Sequence, residues 1–552
     1  MAESERYWIE HMPPSIPADI DSSIYQSIWE MVSESVDQHA DHPAYYHIGK
    51  TISYRQLDGL SKQFATHLQN TCNVKKGDRV ALMVPNVLAH PIAMFGILRT
   101  GAIVVNINPL FTARELEYQL TDSGARIIIA VSNFTNVLSE IIHNTAIEKV
   151  ISAEIGDFHS PFKRWLINSY ARYIKRLKPA PGLDSKPLHE CINKSDESLL
   201  TVDIQQNDIA FLQYTGGTTG STKAAMLTHG NIIANTLQAN ACISIAFEHI
   251  KPYTITALPL YHIFALTANC FVVIRLGGCS HLITNPRYMN SFINELKKVQ
   301  PHVITGVNTL FNAMLKNPGF KDIDFSRLRL TLAGGMSVQP ATAEAWHKVT
   351  GSPIIEAYGL TESSPAITAN LVNSEKYSGH ISFPLPSTDV SIRDDDGNPL
   401  PINTAGELWA RGPQIMKGYW NRPDETDQVL TNDGWLKTGD IATMDEQGHI
   451  SIVDRKKDMI IISGFNAYPN EIEAVLTNHP DIEEAGVVGV KDENTGEAIK
   501  AVIVTNKQDL SKEQIIEYCR KNLAAYKIPK LIEFRKELPK SNVGKILRRS
   551  LI

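Results

Sequence analysis

No uninterrupted apolar run of about 18 residues, the length that spans a bilayer, occurs in this 552-residue chain. The most apolar stretch, 263–283, is broken by Arg275. No transmembrane helix is expected. Cysteine is also scarce. Cys72, Cys191, Cys242, Cys270, Cys279 and Cys519 include no C-x-x-C pair, so a zinc or thioredoxin-like motif has no support. A disulfide scaffold has none either, and a reducing compartment fits best. Neither sign of charge is in large excess. The 53 Lys+Arg against 59 Asp+Glu give a net charge of −6, which argues against a nucleic-acid partner. The opening MAESERYWIEHMPPSIPADI lacks the apolar core of a secretory signal, and a cytoplasmic location is expected. Repeats and low-complexity segments are missing. With 43% apolar residues the chain has enough to bury and is not disordered.

What is present is an alternation of helix and strand patterns. Leu57, Leu60, Phe64 and Leu68 recur at helical spacing, while 80–84 and 126–131 read as short buried strands. Further strand candidates are 209–212, 254–260, 302–307, 329–333 and 353–356. Such alternation predicts an α/β fold with a mostly parallel sheet covered by helices, and ligands collect at the strand ends of such sheets. From Thr388 the texture changes to short alternating strands with turns such as Asp396-Gly397-Asn398, as expected of a smaller β-rich subdomain. After Asp454-Arg455-Lys456-Lys457-Asp458 it changes again. Strands at 487–490 and 498–504 and a helix at 512–523 fit a compact α+β unit. The expected division is 1–455 and 456–552, with the β-rich part at about 388–455.

One segment is locally biased. Residues 162–178 (FKRWLINSYARYIKRLK) hold six basic residues and no acidic one, interleaved with Phe162, Trp165, Leu166, Tyr170 and Tyr173. Basic and aromatic residues on an amphipathic helix suit the surface of an anionic bilayer, on the inner face of the membrane. A solvated surface helix with one core-facing side has the same composition.

The strongest chemical signal is Tyr214, Thr215, Gly216, Gly217, Thr218, Thr219, Gly220, Ser221, Thr222 and Lys223, directly after an apolar strand. Glycines let the backbone approach a ligand closely, and hydroxyls and amides wrap phosphate oxygens. Lys223 supplies charge against polyphosphate. The loop is not a Walker A motif, which needs Gly-Lys before Ser/Thr. It resembles the phosphate loop of the adenylate-forming superfamily, which includes acyl-CoA synthetases, luciferases and peptide-synthetase adenylation domains. Other motifs of that superfamily follow in order: Pro259-Leu-Tyr-His262, Ala333-Gly-Gly-Met336, Glu356-Ala-Tyr-Gly-Leu-Thr-Glu362, Gly434-Trp-Leu-Lys-Thr-Gly-Asp440, Asp454-Arg-Lys-Lys-Asp458, Ser463-Gly-Phe-Asn466 and Pro539-Lys-Ser-Asn-Val-Gly-Lys545. The block 433–458 is similar to the signature of fatty acyl-CoA synthetases. Two positions depart from the pattern: Thr222 stands where many members have Pro, and Ala224 where Gly usually follows the lysine.

The resemblance implies a two-step reaction. A fatty carboxylate and ATP give acyl-AMP and pyrophosphate, and coenzyme A then takes the acyl group. The implied cofactors are ATP, Mg²⁺ and coenzyme A. Thr215 to Lys223 are implied for the β- and γ-phosphates. Gly334, Gly335, Met336, Ala357, Tyr358 and Gly359 are implied around adenine, and Thr361 at the α-phosphate. Glu362 and Thr218 are implied at Mg²⁺, and Asp440 and Arg455 at the ribose. Lys545 is implied at the α-phosphate and the acyl carboxylate, His262 near that carboxylate, and Val307, Leu310 and Phe311 along the acyl tunnel. Gly464 is implied beside the pantetheine arm, Lys457 as an interdomain hinge. Homodimerisation is a superfamily expectation. The sequence stops soon after Lys545, leaving no length for a carrier domain.

Overall fold

The computed structural model describes residues 6–174, 180, 182–192, 198–215, 222–381, 383–462, 465–492, 495–507, 509–541 and 544–552. The apolar runs form strands because burial on both faces leaves no room for a polar alternate residue. Two large sheets result. In the first, strands Lys149–Ala153, Ile127–Val131, Arg79–Met83, Ile103–Asn106 and Ile209–Thr215 lie side by side in parallel. Lys223–Thr228 then returns antiparallel along Ile209–Thr215. The second sheet has nine strands. Its parallel centre is Ile354–Gly359, Leu330–Gly334, Val303–Gly306, Tyr253–Thr256, Cys279–Leu282 and Pro43–His47.

Helices fill the space between the sheets. Leu57, Phe64 and Leu68 face inward from helix Tyr54–Asn70, which starts on a capping box at Ser53. It packs on helix Ala89–Arg99, whose residues are buried on every side. A helix apolar all round belongs inside a large core. Helix His229–Ile243 is nearly as enclosed, and one continuous core reaches both sheets.

The β-rich region is a four-stranded antiparallel sheet of Asp389–Arg393, Gly406–Arg411, Leu436–Met444 and Ile450–Arg455. Beyond it, Ile460–Ile462, Phe465–Ala467, Glu484–Asp492, Gly496–Val504 and Leu531–Phe534 form a last sheet, packed with helices Pro469–Thr477 and Lys512–Asn522 around a core of its own. The α/β expectation is met.

One strand is shorter than its sequence. The run 254–260 pairs only through Thr256. The Asn86 amide donates to the Thr256 and Leu258 carbonyls at 2.9 and 2.8 Å and accepts from Leu260 N at 2.9 Å. A side chain has taken over the ladder's bonds and bends the chain toward His262. All six cysteines are buried and free. Among the described residues, no helix is long and apolar enough to cross a membrane.

Candidate active site

The parallel strands of the second sheet end at Gly306, Gly334 and Gly359, and a cavity of about 710 Å³ opens there. Its mouth is polar. Thr215 and Lys223 come from the first large sheet, Arg455 and Lys456 from the end of the small antiparallel sheet, and Lys545 from the C-terminal segment. Gly334, Gly335, Met336, Ala357, Tyr358, Gly359, Thr361 and Glu362 form the opposite wall. Gly359 has no substitute: a Cβ there would lie 1.9 Å from the Pro365 carbonyl oxygen.

Asp440 lies behind this wall and is 2% exposed. Tyr358 Oη donates to its Oδ2 at 2.5 Å, and Arg455 Nε pairs with its Oδ1 at 2.7 Å. Asp440 and Arg455 are register partners across neighbouring strands, so sheet pairing sets this ion pair. Burial pushes the Asp440 carboxyl up against the pull of Arg455, Tyr358, Lys545 and Lys457. Burial also raises the Tyr358 phenol far above its usual range, which keeps it a donor.

Lys545 projects into the cavity from a tight turn in which Ser541 N donates to its carbonyl at 2.7 Å. The residue keeps an exposed surface, and the groups packed around the ammonium lower its pKa to about 8 by desolvation, with Arg455 adding to the shift against Asp440. Gly544, at φ +83°, lets the turn sit against the large domain, where a Cβ would meet Thr309 Oγ1 at 2.3 Å. His262 faces the same space. Burial takes its imidazole down to about 4, with Lys545 contributing, so the ring is neutral near pH 7. Its Nδ1 accepts from Phe264 N at 3.3 Å, which leaves the proton on Nε2.

Lys223 is ion-paired with Glu425 and lies 5.1 Å from the centre of the Tyr419 ring. Tyr419 Oη in turn donates to Glu362 Oε1 at 2.7 Å. The lysine and the carboxylate thus share one tyrosine, the first at its ring and the second at its hydroxyl.

Behind the mouth the cavity becomes apolar. Its walls are Ala239, Cys242 and Ile243 on helix His229–Ile243, then Phe247, with Val273 and Leu276 beside them and Val303, Leu330 and Leu332 on the sheet. From Asn235 to Ile243 the helix rises about 12 Å. Strand Leu330–Gly334 covers about 13 Å. Both line the channel, and the two lengths agree.

Residues 32–420 match a family model described as AMP-binding enzyme, and residues 471–545 match one described as AMP-binding enzyme C-terminal domain. The chain belongs to the AMP-binding enzyme family. A long-chain-fatty-acid–CoA ligase of Yersinia pestis is 51% identical over 549 residues, 99% of this chain and 98% of that one. Among solved structures, the anthranilate CoA ligase AuaEII in complex with anthranoyl-AMP has a TM-score of 0.85 at 24% identity, over 96% of this chain and 98% of its own. That is a likeness of fold. ATP-bound MatB from Rhodopseudomonas palustris has a TM-score of 0.81 at 26% identity, over 94% and 97%.

In this AMP-binding enzyme most residues singled out in the sequence meet at one cavity, and some do not. Val307 lines the cavity, but Phe311 and Leu310 do not. Phe311 is fully buried in the second core, 4.8 Å from Trp346, because helix Asn308–Lys316 turns that face toward helix Pro340–Thr350. The Tyr214 side chain also leaves the cavity and donates to Asp122 Oδ2 at 2.8 Å. Lys457 lies in the short 3-10 turn Lys456–Asp458. Thr222 lies just before strand Lys223–Thr228, and its carbonyl accepts from Tyr118 Oη at 2.9 Å. Gly216 to Ser221, including Thr218, and Gly464 lie outside the described residues. The channel residues Ala239, Cys242, Ile243, Phe247 and Leu330 escaped the sequence reading. The one available signal was a helix too apolar on too many sides to cover a single sheet.

Proposed function

We propose that this enzyme is an ATP-dependent long-chain-fatty-acid–CoA ligase. The observation that carries the reading is a single cavity joining a cationic, carboxylate-bearing mouth to a long apolar channel. A channel of about 12–13 Å takes roughly ten carbons of a staggered chain, at about 1.3 Å each along ~1.5 Å bonds. The fatty carboxylate oxygen attacks the α-phosphorus of ATP, and pyrophosphate leaves. The thiol sulfur of coenzyme A then attacks the acyl carbon, losing its proton, and AMP leaves.

The roles proposed are those that the resemblance implies, and the shared cavity supports them. Tyr358 and Gly334 to Met336 hold adenine. Asp440, with two acceptor oxygens, takes the ribose hydroxyls as Tyr358 and Arg455 give way. Lys223 and the loop 216–221 with Thr218 hold the terminal phosphates, which displace Glu425. Thr361 and Lys545 bracket the α-phosphate, and neutral His262 donates toward the carboxylate. Positioned charge of this kind supplies most of the catalysis in phosphoryl-type transfer. Mg²⁺ fits beside Glu362, whose Oε1 accepts from Tyr419 and whose Oε2 has no hydrogen-bond partner among the described residues; a magnesium site needs only one or two carboxylates with phosphate and water oxygens. There it would offset phosphate charge. Gly464, outside the described residues, is proposed from the resemblance alone to border the pantetheine arm.

The direct test is AMP and thioester formation with ATP, Mg²⁺ and coenzyme A across acids from acetate to oleate. Stoichiometric thioester, mainly with C12–C18 acids, is the expected result. Adenylate without thioester would make the protein an acyl-AMP ligase instead.

We further propose that the small domain, from residue 456 onward, turns about Lys457 between the two steps. A proline there fixes φ near −65°, close to that of a 3-10 turn, and so retains the present arrangement. Lys457→Pro is expected to leave ATP–pyrophosphate exchange measurable and to suppress transfer to coenzyme A. Equal loss of both half-reactions would exclude the hinge.

Helix Pro161–Ser169 and the wider turn Tyr170–Ile174 support a membrane contact. Phe162 and Tyr173 are 72% exposed and Trp165 64%, so these rings are not a core-facing side. Lys175, Arg176 and Lys178 lie outside the described residues. The protein is expected to sediment with anionic vesicles at low salt, and replacing the six basic residues of 162–178 by glutamine is expected to abolish this. Unchanged sedimentation would remove the idea.

A further inference from the structure

In the sequence Arg548 is one of several cations in a basic tail. In the structure it is set apart. Its neighbour Arg549 is exposed, whereas the Arg548 side chain is 17% exposed and ringed by three carboxylates. Nη1 donates to Asp454 Oδ1 at 3.1 Å and to Asp458 Oδ2 at 3.2 Å. Nε and Nη2 make a fork on Glu473 at 3.1 and 2.8 Å, and Nη2 also reaches Asn470 Oδ1. A guanidinium has five N–H donors, and here each has an acceptor. Lysine, with three donors on one atom, cannot reproduce the pattern.

The acceptors come from both sides of Lys457. Asp458, Asn470 and Glu473 belong to the small domain. Asp454 belongs to strand Ile450–Arg455, next to the Arg455 that pairs with Asp440. Asp454 is fully buried. Besides Arg548 it receives Asn470 N and Arg455 N, both at 2.7 Å. Asn470 Nδ2 adds a bond to the Val453 carbonyl at 3.3 Å. If the chain turns at Lys457, Asp458, Asn470 and Glu473 travel with Arg548, and Asp454 stays behind. The Asp454 carboxylate is therefore one point where the two domains are fastened, along with the Lys316–Glu483 and Lys456–Glu407 ion pairs, and the Arg548 it holds stands three residues along the chain from the lysine in the cavity.

We propose that Arg548 is a positioning residue, a latch that closes on Asp454 to hold Lys545 in the cavity and opens when the small domain turns. It acts through Lys545 and touches no substrate. The inference rests on the proposed reading of Lys545 and Lys457.

The test uses the full-length protein with Arg548→Lys and, separately, Asp454→Asn. Two readouts are needed. The first is amide hydrogen exchange, which does not depend on activity. Faster exchange is expected in 541–548, with strand Gly496–Val504 as protected as in the wild type. Unchanged protection of 541–548 would overturn the latch. Loss of protection throughout the small domain would overturn it too, because the arginine would then be holding up the fold. The second readout is the pair of half-reactions. Displacing a catalytic group by an ångström or so is expected to lower acyl-adenylate formation about 10-fold or more, with use of supplied acyl-AMP within about 2-fold of wild type. An equal fall in both steps would also overturn the proposal. Wild-type protein without adenylation of any acid would refute the ligase reading, and the exchange result would still decide the latch.

Discussion

Lys545→Ala is expected to lower acyl-adenylate formation by about 100-fold or more, the scale for removing a preorganised charge at a developing anion. Thioester formation from supplied acyl-AMP should survive. The difference arises because negative charge builds on phosphate oxygens near Lys545 only in the first step. If supplied acyl-AMP also went unused, the assignment would fail. The lysine has a second signature. Its pKa, about 8 in the ligand-free enzyme, lies below the usual lysine value. The ammonium therefore predominates below pH 8 and is lost as pH rises past it. Because kcat/KM reports the free enzyme, its value for ATP should fall above about pH 8. Arginine stays charged throughout, so whatever activity Lys545→Arg retains should lack that alkaline fall. An unaltered profile would point to another group.

Ala239→Phe is expected to shorten the acids the enzyme accepts. Ala239 faces the channel one helical turn beyond Asn235 and one before Ile243, about halfway along its depth. A ring there displaces about four methylenes of a long chain. At ~0.8 kcal/mol each that is about 3 kcal/mol, or a loss of roughly 100-fold in kcat/KM for palmitate. Hexanoate, which ends about where the ring begins, should be used nearly as well as by the wild type. Equal loss for both acids would mean a damaged fold, and no loss for either would place the acyl chain elsewhere.

The fold could be read from sequence where burial is symmetrical. Residues 127–131 are apolar throughout, and 330–333 are apolar but for Thr331, because both their faces are covered, and a run of that kind has few other uses. The mouth of the cavity was legible for a different reason. Lys223 and Glu362 stand near glycines at strand ends, and Asp440 and Arg455 pair across two strands, Asp440 from a buried position; a charged side chain has little structural purpose at such places. The channel gave no such sign. Phe311 and Phe247 are both buried aromatics near the second sheet, and only the rotation of two helices makes one of them core and the other a channel wall. The segment 254–260 misled because its pairing is cut short by Asn86, some 170 residues away in the chain. Arg548 was hidden because its acceptors come from residues 454 to 473, which no local window brings together with it.

The buried cysteines bear on what a mixed anhydride meets inside this protein. Acyl-AMP is an acylating agent, and any thiolate within reach would intercept it before coenzyme A arrived. Burial pushes Cys191, Cys242, Cys270 and Cys279 up to about 12 and Cys519 to about 11, and raises Cys72. Thiols this weakly acidic are protonated and poor nucleophiles at neutral pH, including Cys242 in the channel wall. The enzyme can therefore hold its own reactive product without labelling its own thiols, and the first thiolate the activated acyl group encounters is the one delivered from outside.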